Sequence, residues 1–149
     1  MQLTRQTDLA LRLLIYAAMN QNREDPVVMV EVSNFYRVSH EHLRKVVHRL
    51  GQFGFLTTNQ GRHGGLRLAH PAERINVADV VEAMERDLSI VDCEALDCVL
   101  QGPCSLKHAL LSARSAFLAV LRQYSLASLL SDRATMTRIG KIIVRLRAV

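Results

Sequence analysis

The three cysteines of the chain, Cys93, Cys98 and Cys104, fall within one twelve-residue stretch. Three thiols are too few to close a four-cysteine zinc site and an odd number for structural disulfides. Spacings of four and five intervening residues are also wider than the two-residue knuckle of most zinc ribbons. A lone cysteine is usually a small core hydrophobe. These three are instead interleaved with Glu94 and Asp97 and followed by a Gly102–Pro103 turn. Thiolates suit iron–sulfur clusters, and three of them leave one iron of a 4Fe–4S cube without a thiolate. Zinc and a thiol–disulfide sensor are the competing chemistries. Oxygen or nitrogen donors that could complete such a site include His108, Asp92, Asp97 and Glu85.

A second constellation lies upstream. Leu43, Val46, Val47 and Leu50 form one apolar stripe of a helix expected from Ser39 to about Phe53, with Ser39 as its cap. The stripe leaves Ser39, His40, His42, Arg44, Lys45 and His48 available to a partner. Before it, Val32, Ser33, Tyr36 and Val38 give the apolar–small pattern of two helices crossing around a tight turn, as a helix-turn-helix requires. Leu56–Thr58 and Leu66–Leu68 flank a glycine-rich tip and read as a hairpin wing. Arg62 and His63 at that tip could reach a phosphate or a minor groove. Arg37 stands where the turn ordinarily needs positive φ, so mild strain or a slightly different turn is expected.

Charge follows the same division. Seven Arg or Lys stand against two acids between Arg37 and Arg74, and seven acids stand against Arg86 alone between Asp79 and Asp97. Five basic residues and no acid lie between Arg133 and Arg147. A basic block followed by an acidic one suggests a polyanion-binding surface beside a regulatory one, although charge alone equally fits ordinary solvated faces.

The elements that must position these groups are helical. A first helix is expected from about Thr4 to Asn20 with Thr4 or Thr7 as its cap, a second from Val30 to Tyr36, and another from Asn76, its N-cap, to near Arg86. A long helix should run from Ser105 to Tyr124. Its Leu106, Leu110, Ala113, Phe117, Val120 and Tyr124 repeat every 3.5 residues, the seam of a coiled coil, and suggest a homodimer. A short segment follows, Leu126 to Leu130. The fold class is thus mainly α, a winged helix-turn-helix with a dimerisation helix. Residues 1–86 would form the DNA-binding domain, 87–104 the cysteine loop, 105–131 the dimerisation helix with a short following helix, and 132–149 a basic tail. The chain has no run of about eighteen apolar residues and no secretory signal at its start, so a cytoplasmic protein without membrane contact is expected. Catalysis finds no support: there is no Cys-x-x-Cys, no nucleophile–base pair and no phosphate-cradling glycine loop.

The order reader, three-cysteine loop, coiled-coil helix resembles the iron–sulfur winged-helix repressors. The run from Met1 to Arg12 looks like their N-terminal signature. So do Gly64 to Leu68 in the wing and Asn76 to Glu82 after it. The resemblance covers residues 1 to about 130. Within the family, the cysteine gaps and Asp8 are closest to the nitric-oxide-sensing branch. That resemblance implies Asp8, from the partner subunit, as fourth ligand of a 4Fe–4S cluster. On position alone Asp8 is equally a helix N-terminal acid stabilised by the macrodipole. The 2Fe–2S branch that regulates cluster assembly carries a histidine three residues after its last cysteine. Here that position is Lys107 and His108 lies one step further, so His108 is the alternative ligand. The implied function is a homodimeric repressor on a pseudo-palindromic operator in double-stranded DNA, released by nitric oxide. The rivals are a 2Fe–2S regulator of cluster assembly or redox response, and a thiol-based redox protein that binds no DNA.

Overall fold

The computed structural model describes residues 2–59, 61, 64–93, 98, 99, 104–132 and 137. Helix α1, Arg5–Met19, is capped by Thr4, whose hydroxyl accepts from the Thr7 amide. Ala10, Leu13 and Leu14 of α1 are fully buried. Three helices and a strand pack around it, namely α3 (His40–Gln52), α4 (Val77–Met84), α6 (Leu126–Leu130) and β2 (Gly65–Leu68). The short α2, Met29–Tyr36, crosses α3. Edge-to-face contacts of Tyr16 with Phe35 (5.0 Å) and of Phe35 with Tyr36 (4.8 Å) hold α2 to α1. Such pairs add ~0.5–1.5 kcal/mol each beyond their area.

Between α2 and α3 the expected turn forms, and Arg37 takes the left-handed conformation it requires (φ 53°, ψ 48°). Ser33 closes the turn. Its carbonyl accepts from the Arg37 and Val38 amides, and its hydroxyl donates to the Val38 carbonyl at 2.7 Å. Ser39 then caps α3 by accepting from the His42 amide.

The wing pairs β1, Leu56–Asn59, antiparallel with β2, Leu56 opposite Leu68 and Asn59 opposite Gly65. Val27 extends the pairing with an isolated bridge to Leu66. Arg67 ties the base of the wing to the α1–α2 loop by donating to the carbonyls of Arg23 and Glu24. Gly61, at φ 110°, turns the tip. Arg62 and His63 lie outside the described residues, as does the basic tail apart from residues 132 and 137.

Two helix ends differ from expectation. Helix α4 stops at Met84 rather than near Arg86. Helix α5 runs Ser105–Leu121, so Tyr124 is not on the seam helix. Here a sheet-like bridge between Asn76 and Ser125 captures the chain. The Val77 N–H donates to the Tyr124 carbonyl, the Leu126 N–H to the Ile75 carbonyl, and the Asn76 side-chain Nδ2 to the Arg122 carbonyl. Those bonds replace the next helical turn. Asn76 also caps α4, as expected.

The C-terminus of α4 is gripped from outside. Arg49 of α3 donates to the Met84 carbonyl at 3.0 Å, the Ala83 carbonyl at 3.5 Å and the Gln6 side chain at 2.7 Å. A cation there answers the negative end of the helix dipole. The next residue, Glu85, accepts from the Thr4 amide at 2.7 Å.

Two sets of variants test this account by thermal denaturation. Gly51→Ala should stabilise by about 0.5–1 kcal/mol, because its Cβ would meet only the Leu56 carbonyl at 3.9 Å and alanine favours a helix. Gly65→Ala should destabilise by roughly 1–3 kcal/mol, because its Cβ would lie 2.7 Å from the Val27 carbonyl. Arg49→Met should cost about 1–2 kcal/mol, and Arg49→Lys should recover only part, since an ammonium cannot span three acceptors.

Candidate nucleic-acid interface and cysteine loop

Packing of α3 decides what it presents. Leu43, Val46, Val47 and Leu50 are buried against the core, and His40, Glu41, His42, Arg44, Lys45 and His48 are exposed. Because they lie four apart, His40, Arg44 and His48 share one flank. They line a groove of about 830 Å³ whose far wall is the wing, with Thr58, Asn59 and Gly64. Val47, Leu56 and Leu66 contribute apolar surface to it. The side chains of His40, Arg44 and His48 make no hydrogen bond or ion pair among the described residues. They are thus available to base edges and phosphates.

The other predicted contacts are partly engaged. Ser39 serves as the helix cap, and its hydroxyl also lies 3.0 Å from His42 Nδ1. Lys45 pairs with Glu41 at 3.4 Å, an exposed i, i+4 pair worth little in water. His42 and Lys45 line a second groove, of about 610 Å³, on the opposite flank of α3. Arg5 and Arg12 of α1 and Arg37 of the turn line it with them. Those three arginines were not among the sequence-predicted contacts. Arg5 and Arg12 share one face of α1 with Asp8, but only the packing of α1 brings that face beside α3.

Asp8 is half exposed and held by Arg12 through two contacts of 3.0 Å, in an i, i+4 pair. Arg12 also lies 6.0 Å from the Tyr36 ring centroid. Burial above all pushes the Tyr36 hydroxyl up to about 12, so it stays neutral and brings no charge to this face.

The cysteine loop leaves α4 after Glu85. Cys93, Cys98 and Cys104 are half-buried and none is in a disulfide. The Cys98 amide donates to the Cys93 carbonyl at 3.2 Å. Cys104 stands at the head of α5, and its carbonyl accepts from the His108 amide at 3.1 Å. His108 is exposed on the first turn of α5. Residues 94–97 and 100–103, including the candidate Asp97, lie outside the described residues. Among the described residues, no three His, Cys, Asp or Glu side chains gather closely enough to hold a metal ion. The donor types nonetheless fit an iron–sulfur cluster, being three half-buried thiols without a disulfide.

Helix α5 presents much of its apolar surface to solvent. Leu106 is 66% exposed and Val120 52%, Ala113 is exposed, Leu110 and Phe117 are half-buried, and only Leu118 is buried. No helix among the described residues is long and apolar enough to cross a membrane.

Comparison with known proteins places this arrangement. The chain is 43% identical over 132 residues to the HTH-type transcriptional regulator NsrR of Shouchella clausii, covering 87% of this chain and 88% of that one. To NsrR of Bacillus subtilis it is 39% identical over 145 residues, covering 95% and 99%. Among solved structures, CymR, the global cysteine regulator of B. subtilis, superposes with a TM-score of 0.74 at 23% identity, over 88% of this chain and 97% of that one. IscR of T. potens superposes at 0.71 and 19% identity, over 89% and 88%. Both share the winged-helix fold. The family model Rrf2, described as iron-dependent transcriptional regulator, matches residues 3–132. With its exposed reading helix, glycine-tipped wing and three-cysteine loop, the chain belongs to the Rrf2 family of transcriptional regulators.

Proposed function

We propose that the protein is a homodimeric repressor that senses nitric oxide through an iron–sulfur cluster held by Cys93, Cys98 and Cys104. Asp8 of the partner subunit supplies the fourth ligand. One observation carries this reading. The segment bearing the three thiols continues directly from α4, whose last carbonyls are held by Arg49 of the reading helix. A change at the loop therefore has a short mechanical path to the DNA-reading surface. Similarity to NsrR proteins supports the choice of signal.

His40, Arg44 and His48 read the major groove, helped by Ser39, His42 and Lys45 at the first turns of α3. Arg62 and His63 act from the wing. The stripe Leu106, Leu110, Ala113, Phe117 and Val120 on α5 pairs with its copy, burying side chains that one chain leaves in water. Pairing sets the two reading helices at half-site spacing on a pseudo-palindromic operator. Cys93, Cys98 and Cys104 would hold three irons of a 4Fe–4S cluster, which would supply one iron without a thiolate, open to a small ligand such as nitric oxide. Asp8 must leave Arg12 to serve as ligand. Once released, its carboxylate has Arg12 to return to, so α1 has two discrete partners and the dimer two arrangements. Residues 1–86 then act as the reader, with α6 packed into its core, 87–104 as the sensor and α5 as the dimer contact.

A second reading rests on His108, on the first turn of α5, whose amide donates to the carbonyl of Cys104 at 3.1 Å. As ligand it would fit a 2Fe–2S regulator of cluster assembly.

Anaerobic native mass spectrometry of the as-purified dimer, with and without nitric oxide, should show 4Fe–4S per chain that is lost or modified by the gas. Asp8→Ala should perturb the cluster and His108→Ala should not; the reverse, with 2Fe–2S, would establish the second reading. Operator binding should weaken at least tenfold on cluster loss, and equal binding by cluster-loaded and cluster-free protein would sink the switch. Arg44→Ala should cost about 1–3 kcal/mol of operator affinity and relax discrimination at one base pair in gel shifts.

A further inference from the structure

A helix about 10–12 Å across fills a major groove about 12 Å wide, so both flanks of a reading helix face a phosphate wall. The wing stands over one flank of α3. The opposite flank opens on the second groove, with Arg5, Arg12, Arg37, His42 and Lys45. These cations are not equivalent. Within one chain Arg12 pairs with Asp8, a pairing that the cluster-bound dimer would release, and Lys45 pairs with Glu41. Asp8 is the one carboxylate lining the groove, and Arg12 neutralises it. The side chains of Arg5 and Arg37 are exposed and make no hydrogen bond or ion pair among the described residues.

Arg37 is also the one non-glycine among the described residues at positive φ. Glycine there would avoid a cost on the order of 1 kcal/mol. The fold draws no polar contact from the arginine side chain in return. Strain of this kind persists where the side chain serves something outside the fold.

The geometry points to a backbone phosphate of double-stranded DNA, on the strand wall opposite the wing, held between the guanidiniums of Arg37 and Arg5. The seat rests on the DNA-binding part of the proposed function and is independent of cluster and signal. It reads no sequence, because phosphate contacts set register and orientation while base edges specify.

The probe is a random-sequence duplex about three helical turns long, titrated anaerobically with the full-length protein at several salt concentrations by fluorescence anisotropy. Losing one phosphate contact should lower the log–log salt slope by about 0.9, which is about eightfold in affinity at 0.1 M salt relative to a 1 M reference. Arg37→Gly should show that loss while its melting temperature holds or rises. Arg5→Gln should show the same loss, and Arg37→Lys should keep most of the slope. An unchanged slope in Arg37→Gly would overturn the seat. So would a fall in its melting temperature, which would make Arg37 a residue of the fold. Operator binding indifferent to the cluster would overturn the sensing function alone.

Discussion

The contact on which the molecule turns is the apolar stripe of α3 against α1. Leu43, Val46 and Leu50 sit at or within one percent of complete burial, as do Ala10, Leu13 and Leu14 of α1. Fully burying such a side chain is worth about 1.5–3 kcal/mol, far more than any single exposed ion pair on the same helix. The stripe therefore sets the rotation of α3, and the rotation decides that His40, Arg44 and His48 face one groove while His42 and Lys45 face another. The polar face is a consequence of where the leucines and valines go.

The second constraint is polar and joins elements far apart in the chain. Arg49 leaves the reading helix to hold the end of α4, and Glu85 just beyond α4 holds the start of α1. A guanidinium suits the first task because its fork reaches two carbonyls and a side-chain amide at once. The three helices that define the reader thus meet at the point where the cysteine loop begins.

Much of this was legible in sequence because it rests on local periodicity. The stripe of α3, the caps Thr4, Ser39 and Asn76, and the glycine-tipped hairpin follow from spacing and cap chemistry, which need no tertiary context. The end of α5 was not legible. Nothing in the heptad pattern reports that Tyr124 and Ser125 will meet Ile75–Val77, and that long-range bridge ended the helix early. Arg49 was equally opaque, since an arginine on a polar helix face reads as solvated until α4 is placed beside it. The same holds for Arg5 and Arg12, which join α3 only through the packing of α1.

The three cysteines and their spacing are properties of the sequence alone, and with them the restriction to thiolate chemistry. So is the positive-φ demand at Arg37, which follows from the length of the turn between two helix patterns. Tertiary structure decided which cations share a groove, which are already spent on neighbours, and that Asp8 is held by Arg12 within its own chain. The physical reason is range. Caps, turns and stripes are set within a few residues, whereas charge pairing and groove walls depend on distances between elements that only the packed core establishes.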